Sequence, residues 1–125
     1  MERIEVTLTT DADGNATGYA EPTQPGFVRA IRYIKDGTDP YSDGVSLTVT
    51  GETTGIEVLT QAAMNASVTK FPRQPTQGSA DGSAALYAAG GTAVNDLIPI
   101  VREKIKLVIA SGGDTKTGTF HVWIG

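Results

Sequence analysis

Ile4, Val6 and Leu8 alternate with Glu5, Thr7 and Thr9, the period of two that sets one face of a β-strand on a core and the other in water. The same period returns in Val45, Leu47 and Val49, and again in Ile105, Leu107 and Ile109 against Lys104, Lys106 and Val108. Between these segments the pattern predicts a weaker strand over 16–20 that pairs back on the first, a strand over 27–35, one over 56–60 and a short one over 68–71. Residues 27–35 are apolar at both parities, with Val28, Ala30 and Ile34 set against Phe27, Ile31 and Tyr33. That predicts a strand near the centre of its sheet. Residues 94–101 lead into a final hairpin, in which 119–124 returns along 105–109 and ties the last strand into the sheet.

Turn chemistry separates the strands at roughly regular intervals. Asp11, Asp13, Gly14 and Asn15 form a tight turn in which Gly14 can take positive φ, and residues 36–44 form a long polar loop. Pro22 and Pro25 interrupt any ladder ahead of the third strand, and Gly51 and Gly55 bracket another turn. Short alternating strands with this punctuation predict an all-β fold, an antiparallel β-sandwich or jelly-roll-like barrel. The expected organisation is one domain over 1–125 with a long loop or arm at 72–91, where Leu86 and Tyr87 are the large apolar residues. Its core is expected to draw on Ile4, Val6, Leu8, Ile31, Val45, Leu47, Val49, Ile105, Leu107, Ile109 and Val122.

Composition narrows the possible partners. With 39% hydrophobic and 6% aromatic residues the core is lean, so association with further copies or a larger surface is expected to add burial. A net charge of −4 argues against direct nucleic-acid binding, which needs clustered Lys and Arg. The absence of cysteine removes disulfides and thiolate metal sites. No apolar run reaches bilayer length and no signal peptide is visible, so no membrane partner is expected and synthesis is placed in a cytoplasm.

Candidate chemistry is sparse. His121 is the single histidine and sits in a strand pattern beside Val122 and Trp123. No nucleophile-elbow motif or phosphate loop accompanies it. The expectation is therefore no catalytic residue, no cofactor and no metal site. Asp11 and Asp13, like Asp36, Asp39 and Asp43, have oxygen ligands in a spacing that suits calcium, yet the same residues around Gly are ordinary turn formers. Arg102, Lys104 and Lys106 fall on one face of an extended segment. They are candidates either for protecting a strand edge or for docking on an acidic protein surface.

The segments 104–113 and 117–125, the run Phe71, Pro72, Arg73, Gln74 and the opening turn at 9–16 resemble small virion proteins of tailed bacteriophages and related prophages. Within that class the chain is similar to capsid decoration, or cement, proteins. The resemblance implies an oligomer that binds the major capsid protein on the outside of the shell and stabilises capsomer junctions, and the lean core with the long 72–91 excursion makes a homotrimer the expectation in preference to a dimer. The resemblance also implies residence on the virion after synthesis in the host bacterium; the charge pattern, independently of the resemblance, offers Arg102, Lys104 and Lys106 as possible capsid-docking residues. The alternatives are a head-to-tail connector or tail component, and a carbohydrate-binding β-sandwich that would stack sugars on Trp123 or on some of its four tyrosines.

Overall fold

Alternation along each strand decides which side chains enter the core, and the pairing decides which strands share a sheet. The computed structural model describes residues 1–75, 84–86, 88–100 and 102–125. Expected features at 76–83, Tyr87 and Val101 lie outside the described residues. Within the rest the chain forms β1 (Glu2–Thr9), β2 (Ala16–Ala20), β3 (Gly26–Lys35), β4 (Ser46–Gly51), β5 (Glu57–Gln61) and β6 (Val68–Lys70). There follow β7 (Gln74–Pro75), β8 (Asn95–Asp96), β9 (Ile98–Ile100), β10 (Ile105–Ala110) and β11 (Thr117–Ile124).

One antiparallel sheet has the order β1-β11-β3-β6, with β9 also on β3, and the second has β2-β10-β4-β5. Four of these pairs are nested in sequence, β1 with β11, β2 with β10, β3 with β6 and β4 with β5. The chain is thus one long antiparallel ribbon rolled into two facing sheets, which is the eight-strand jelly roll. The segment from β7 to β9 is an addition to that ribbon. Its β7–β8 pair and the bridge between Leu86 and Ala93 hold the described part of the 72–91 arm.

Nesting corrects two expectations. The strand at 16–20 does not pair back on β1: β2 lies in the other sheet on β10, and a Cβ on Gly18 would collide with Leu8 across the core. The last two strands are likewise no hairpin, since β10 bonds to β2 and β4 while β11 bonds to β1 and β3. Both turns are crossings from sheet to sheet, and they run side by side. The Thr10 N–H donates to Lys116 O at 2.8 Å. The buried Thr10 hydroxyl donates to Gly113 O at 2.6 Å and accepts the Lys116 N–H at 2.8 Å. The Gly112 N–H donates to Gly14 O at 2.9 Å.

The core lies between the sheets. Val122 and Phe120 from β11 and Leu47, Val49, Ile105, Leu107 and Ile109 from the second sheet are fully buried, while Ile4 and Val6 are partly buried against them. β3 is central as expected, but its two-sided apolar pattern has an added cause. A bulge sets Ala30 opposite Trp123 and Val28 opposite Ile124, skipping Arg29. The inward parity therefore changes from Val28 to Ile31 and Tyr33.

Tyr33, Tyr41 and Phe120 stack in one aromatic group, with centroids 5.3 to 6.4 Å apart. Tyr41 comes from the polar loop, is buried, and donates its hydroxyl to Leu8 O at 2.6 Å. The rings need Gly118 beneath them: a Cβ there would lie 2.6 Å from the Tyr41 ring and 2.7 Å from the Tyr33 ring. Replacing Gly118 by Val is expected to destabilise the fold by about 2 kcal/mol or more through overpacking, read as a lower urea midpoint.

Burial pushes the Tyr41 phenol far above its ordinary value, with Tyr33 beside it adding to the shift. Burial, then Asp36, raises Tyr33. In the unfolded chain both phenols lose their protons near pH ~10, so above that pH the unfolded state binds fewer protons than the native one. Stability is therefore expected to fall as pH rises beyond about 10. Tyr41→Phe should flatten that decline in urea titrations while removing about 1 kcal/mol at neutral pH with its buried hydrogen bond.

Candidate functional site

The three basic residues singled out in the sequence lie where the second sheet begins. Arg102 has φ of 52°, so the 102–106 segment turns before it becomes extended at β10. Lys104 is 3.7 Å from Glu21 and sits 5.7 Å from the centre of the Tyr19 ring. Lys106 pairs in register with Tyr19 on one side and Thr50 on the other, on the outer face of β10. Arg102 and Lys104 line a depression of about 300 Å³ together with Glu21, Glu52 and Glu103. Glu103 spends its oxygens on the Thr53 and Thr54 amides and the Thr54 hydroxyl. Carboxylates thus accompany the cations, which makes this end of the molecule mixed in charge.

The outer face of the first sheet is arranged differently. Outward positions of β11 carry Thr119, His121 and Trp123. Register sets His121 between Glu5 and Arg32, and Trp123 between Arg3 and Ala30. The His121 and Trp123 rings stack with centroids 5.9 Å apart. His121 Nδ1 is buried and has no hydrogen-bond partner among the described residues. Arg32 donates to Thr69 Oγ1 at 2.8 Å.

Beside Trp123 lies an open depression of about 410 Å³. Ala30 and Trp123, neighbours in register, line it; Thr69 and Phe71 come from β6 and the residue just after it, and Arg29, Arg73 and Met1 are the other described lining residues. Phe71 is 65% exposed, an unusual position for so large an apolar side chain and one that marks interaction surfaces when it belongs to a patch. Both guanidinium groups are held by backbone oxygens. Arg29 Nε donates to Gly125 O at 3.0 Å, and Arg73 Nη1 donates to Pro72 O at 2.7 Å and Arg29 O at 3.3 Å. Among the described residues no Asp or Glu side chain lines this depression. Sequence reading passed over it because Arg29 and Arg73 are 44 residues apart and meet only through the β3–β6 pairing. The one available signal was Phe71 standing next to Pro72 and Arg73 at the end of a strand.

The acidic turns put their oxygens to backbone use. Asp11 Oδ1 accepts the Asp13 and Asn15 amides at 2.9 and 3.0 Å. Asp36 Oδ2 accepts those of Thr38 and Asp39 at 3.0 and 2.8 Å, which holds its carboxyl below its ordinary value. Among the described residues no group of three or more His, Asp or Glu side chains is placed to hold a metal ion. Asp11→Ala is expected to lower stability by about 1 kcal/mol by freeing those amides. Millimolar calcium or a chelator should leave the melting temperature of the wild-type protein unchanged, as read by thermal unfolding.

Compared with known proteins, the chain matches no family model, no curated protein and no solved structure.

Proposed function

We propose that the chain is a structural protein of a virus particle, a decoration or cement protein that binds the outer surface of a tailed-phage capsid and braces its capsomer junctions. The observation that carries this reading is the rolled ribbon itself, an architecture that recurs in viral structural domains as well as in lectins. A fold alone hosts many functions. The likeness of the strand and turn segments to phage virion proteins is what selects among them. On this reading the partners are the major capsid protein and further copies of the chain, in a closed trimer seated on a symmetric site. Several weak contacts to one junction then act together through effective concentration. Synthesis takes place in the host cytoplasm, and the function requires no turnover and no cofactor.

A second reading, a carbohydrate-binding module, draws on one specific feature: the stacked His121 and Trp123 rings on the outer sheet face. Aromatic faces of that kind stack on sugar rings.

The test is on virions. Mass spectrometry should find the chain in hundreds of copies per particle, and particles lacking it should lose infectivity sooner under heat or at low ionic strength. Equal survival together with a copy number of a few would eliminate the decoration role and favour a neck or tail component. A trimer is expected when the purified protein is sized by light scattering.

A further inference from the structure

We infer that the Trp123, Phe71, Arg73 depression is the docking surface of this protein, and that its occupant is an acidic protein segment carrying an apolar side chain. This inference rests on the decoration reading for the identity of the partner, an exposed stretch of the capsid subunit. Its chemistry comes from the site.

The argument begins with charge. The chain has 14 acidic and 10 basic residues, so a depression lined by two arginines, with no carboxylate among its described lining side chains, runs against the overall charge. Among the described residues the depression on the first sheet is lined by two arginines and no Asp or Glu. The one around Arg102 and Lys104 contains Glu21, Glu52 and Glu103. A like-charged partner carboxylate approaching the second would meet three of its own kind; approaching the first, it would meet none. Docking by an acidic segment therefore favours Arg73 and Arg29 over Arg102, Lys104 and Lys106.

Pre-organisation points the same way. Arg73 is anchored through Nη1 to two carbonyls, and Arg29 through Nε to a third. Each planar guanidinium is thereby oriented before any partner arrives, with donors left over for a carboxylate, and an oriented fork loses less side-chain freedom on binding. Lys104 is instead engaged with Glu21 and Tyr19.

Apolar surface supplies the rest. Phe71 is 65% exposed and lines the depression together with Ala30 and the half-buried Trp123. Trp and Arg lead the residues that dominate protein interfaces, and aromatic residues in general are enriched there. A partner side chain of Phe or Leu size would cover Phe71 and Trp123 while an adjacent Asp or Glu reaches Arg73. A neutral sugar would leave the arginines unused.

The experiment compares binding of the wild-type protein and its variants to purified capsids lacking it. Phe71→Ala and Arg73→Glu alter exposed side chains, so the variants should fold, which their circular dichroism confirms. Each is expected to weaken capsid binding by about tenfold or more. Lys104→Glu and Lys106→Glu should change it by less than about threefold, as rim charges do. If the wild type binds and Phe71→Ala and Arg73→Glu bind equally well, the docking surface is elsewhere and the inference is overturned while the decoration reading stands. If the wild type binds no capsid, the decoration reading falls. The site is then decided by the fluorescence of Trp123, the single tryptophan. Saturable change with the peptide Asp-Glu-Phe-Glu-Leu, absent with Lys-Lys-Phe-Lys-Leu and lost in Arg73→Glu, supports the inference. Saturation with polygalacturonate alone, or with neither peptide, overturns it.

Discussion

The pairing of strands that are far apart in sequence is the constraint on which the rest of this structure depends. Glu2 faces Ile124 and Ile105 faces Ala20, so the ladders can form only when the two halves of the chain roll up together. Rolling obliges both chains of the ribbon to cross between sheets at the same corners, and each corner shows how this is done. At the first, Thr10 locks the two crossings, and the backbone takes positive φ at Gly14, Ser111, Gly113 and Thr115. At the corner where β3 leads to β4 and β5 to β6, the Met64 N–H donates to Val45 O at 3.1 Å and Ala63 has φ of 50°. Left-handed conformations cost a non-glycine residue about 1 to 2 kcal/mol, and they recur where the ribbon bends most sharply. Non-local pairing of this kind also makes folding slow for a domain of this size.

Much of the fold was legible in the chain because alternation specifies facing. Val45, Leu47 and Val49, and Ile105, Leu107 and Ile109, lie inside as their period requires. Alternation does not specify neighbours. Gly112, Gly113 and Asp114 form a sound turn in either topology, so the step from β10 to β11 read as a hairpin. What excludes the hairpin is tertiary: Gly112 packs on the Thr10 methyl and the Tyr41 ring, with no room for a Cβ. Tyr41 itself was hidden in a polar loop, because a buried phenol in such a place depends on the distant Leu8 carbonyl it reaches. The arginine pair beside Phe71 was illegible for the same reason, since the bulge at Arg29 and the return of β6 bring it together. The lysines near 104 were visible, but their carboxylate neighbours Glu21 and Glu52 come from other strands' ends.

Taken together, the two outer faces have different characters. The second sheet presents Thr17, Thr48 and Thr60 around Val108, with Lys106 beside Thr50 and Tyr19. Such a face is polar, short-chained and locally mixed in charge. The first sheet presents two stacked rings, a protruding phenylalanine and guanidinium groups fixed by the backbone. The most exposed aromatic ring, Phe71, thus lies on the same side as two arginines whose guanidinium groups are fixed by backbone oxygens.

The register between β1 and β11 also sets how the molecule bears a mechanical load. Glu2 and Ile124 are opposite each other in an antiparallel ladder whose hydrogen bonds run across the strands. A force drawing these two residues apart opens the ladder from one end, one bond pair after another, as a zip opens. A force along the strands, delivered through a sheet face, stretches every bond of the ladder at once and meets far greater resistance. A partner seated on the outer face of β11 would therefore be held most firmly against loads that run in the plane of the sheet, along the strands.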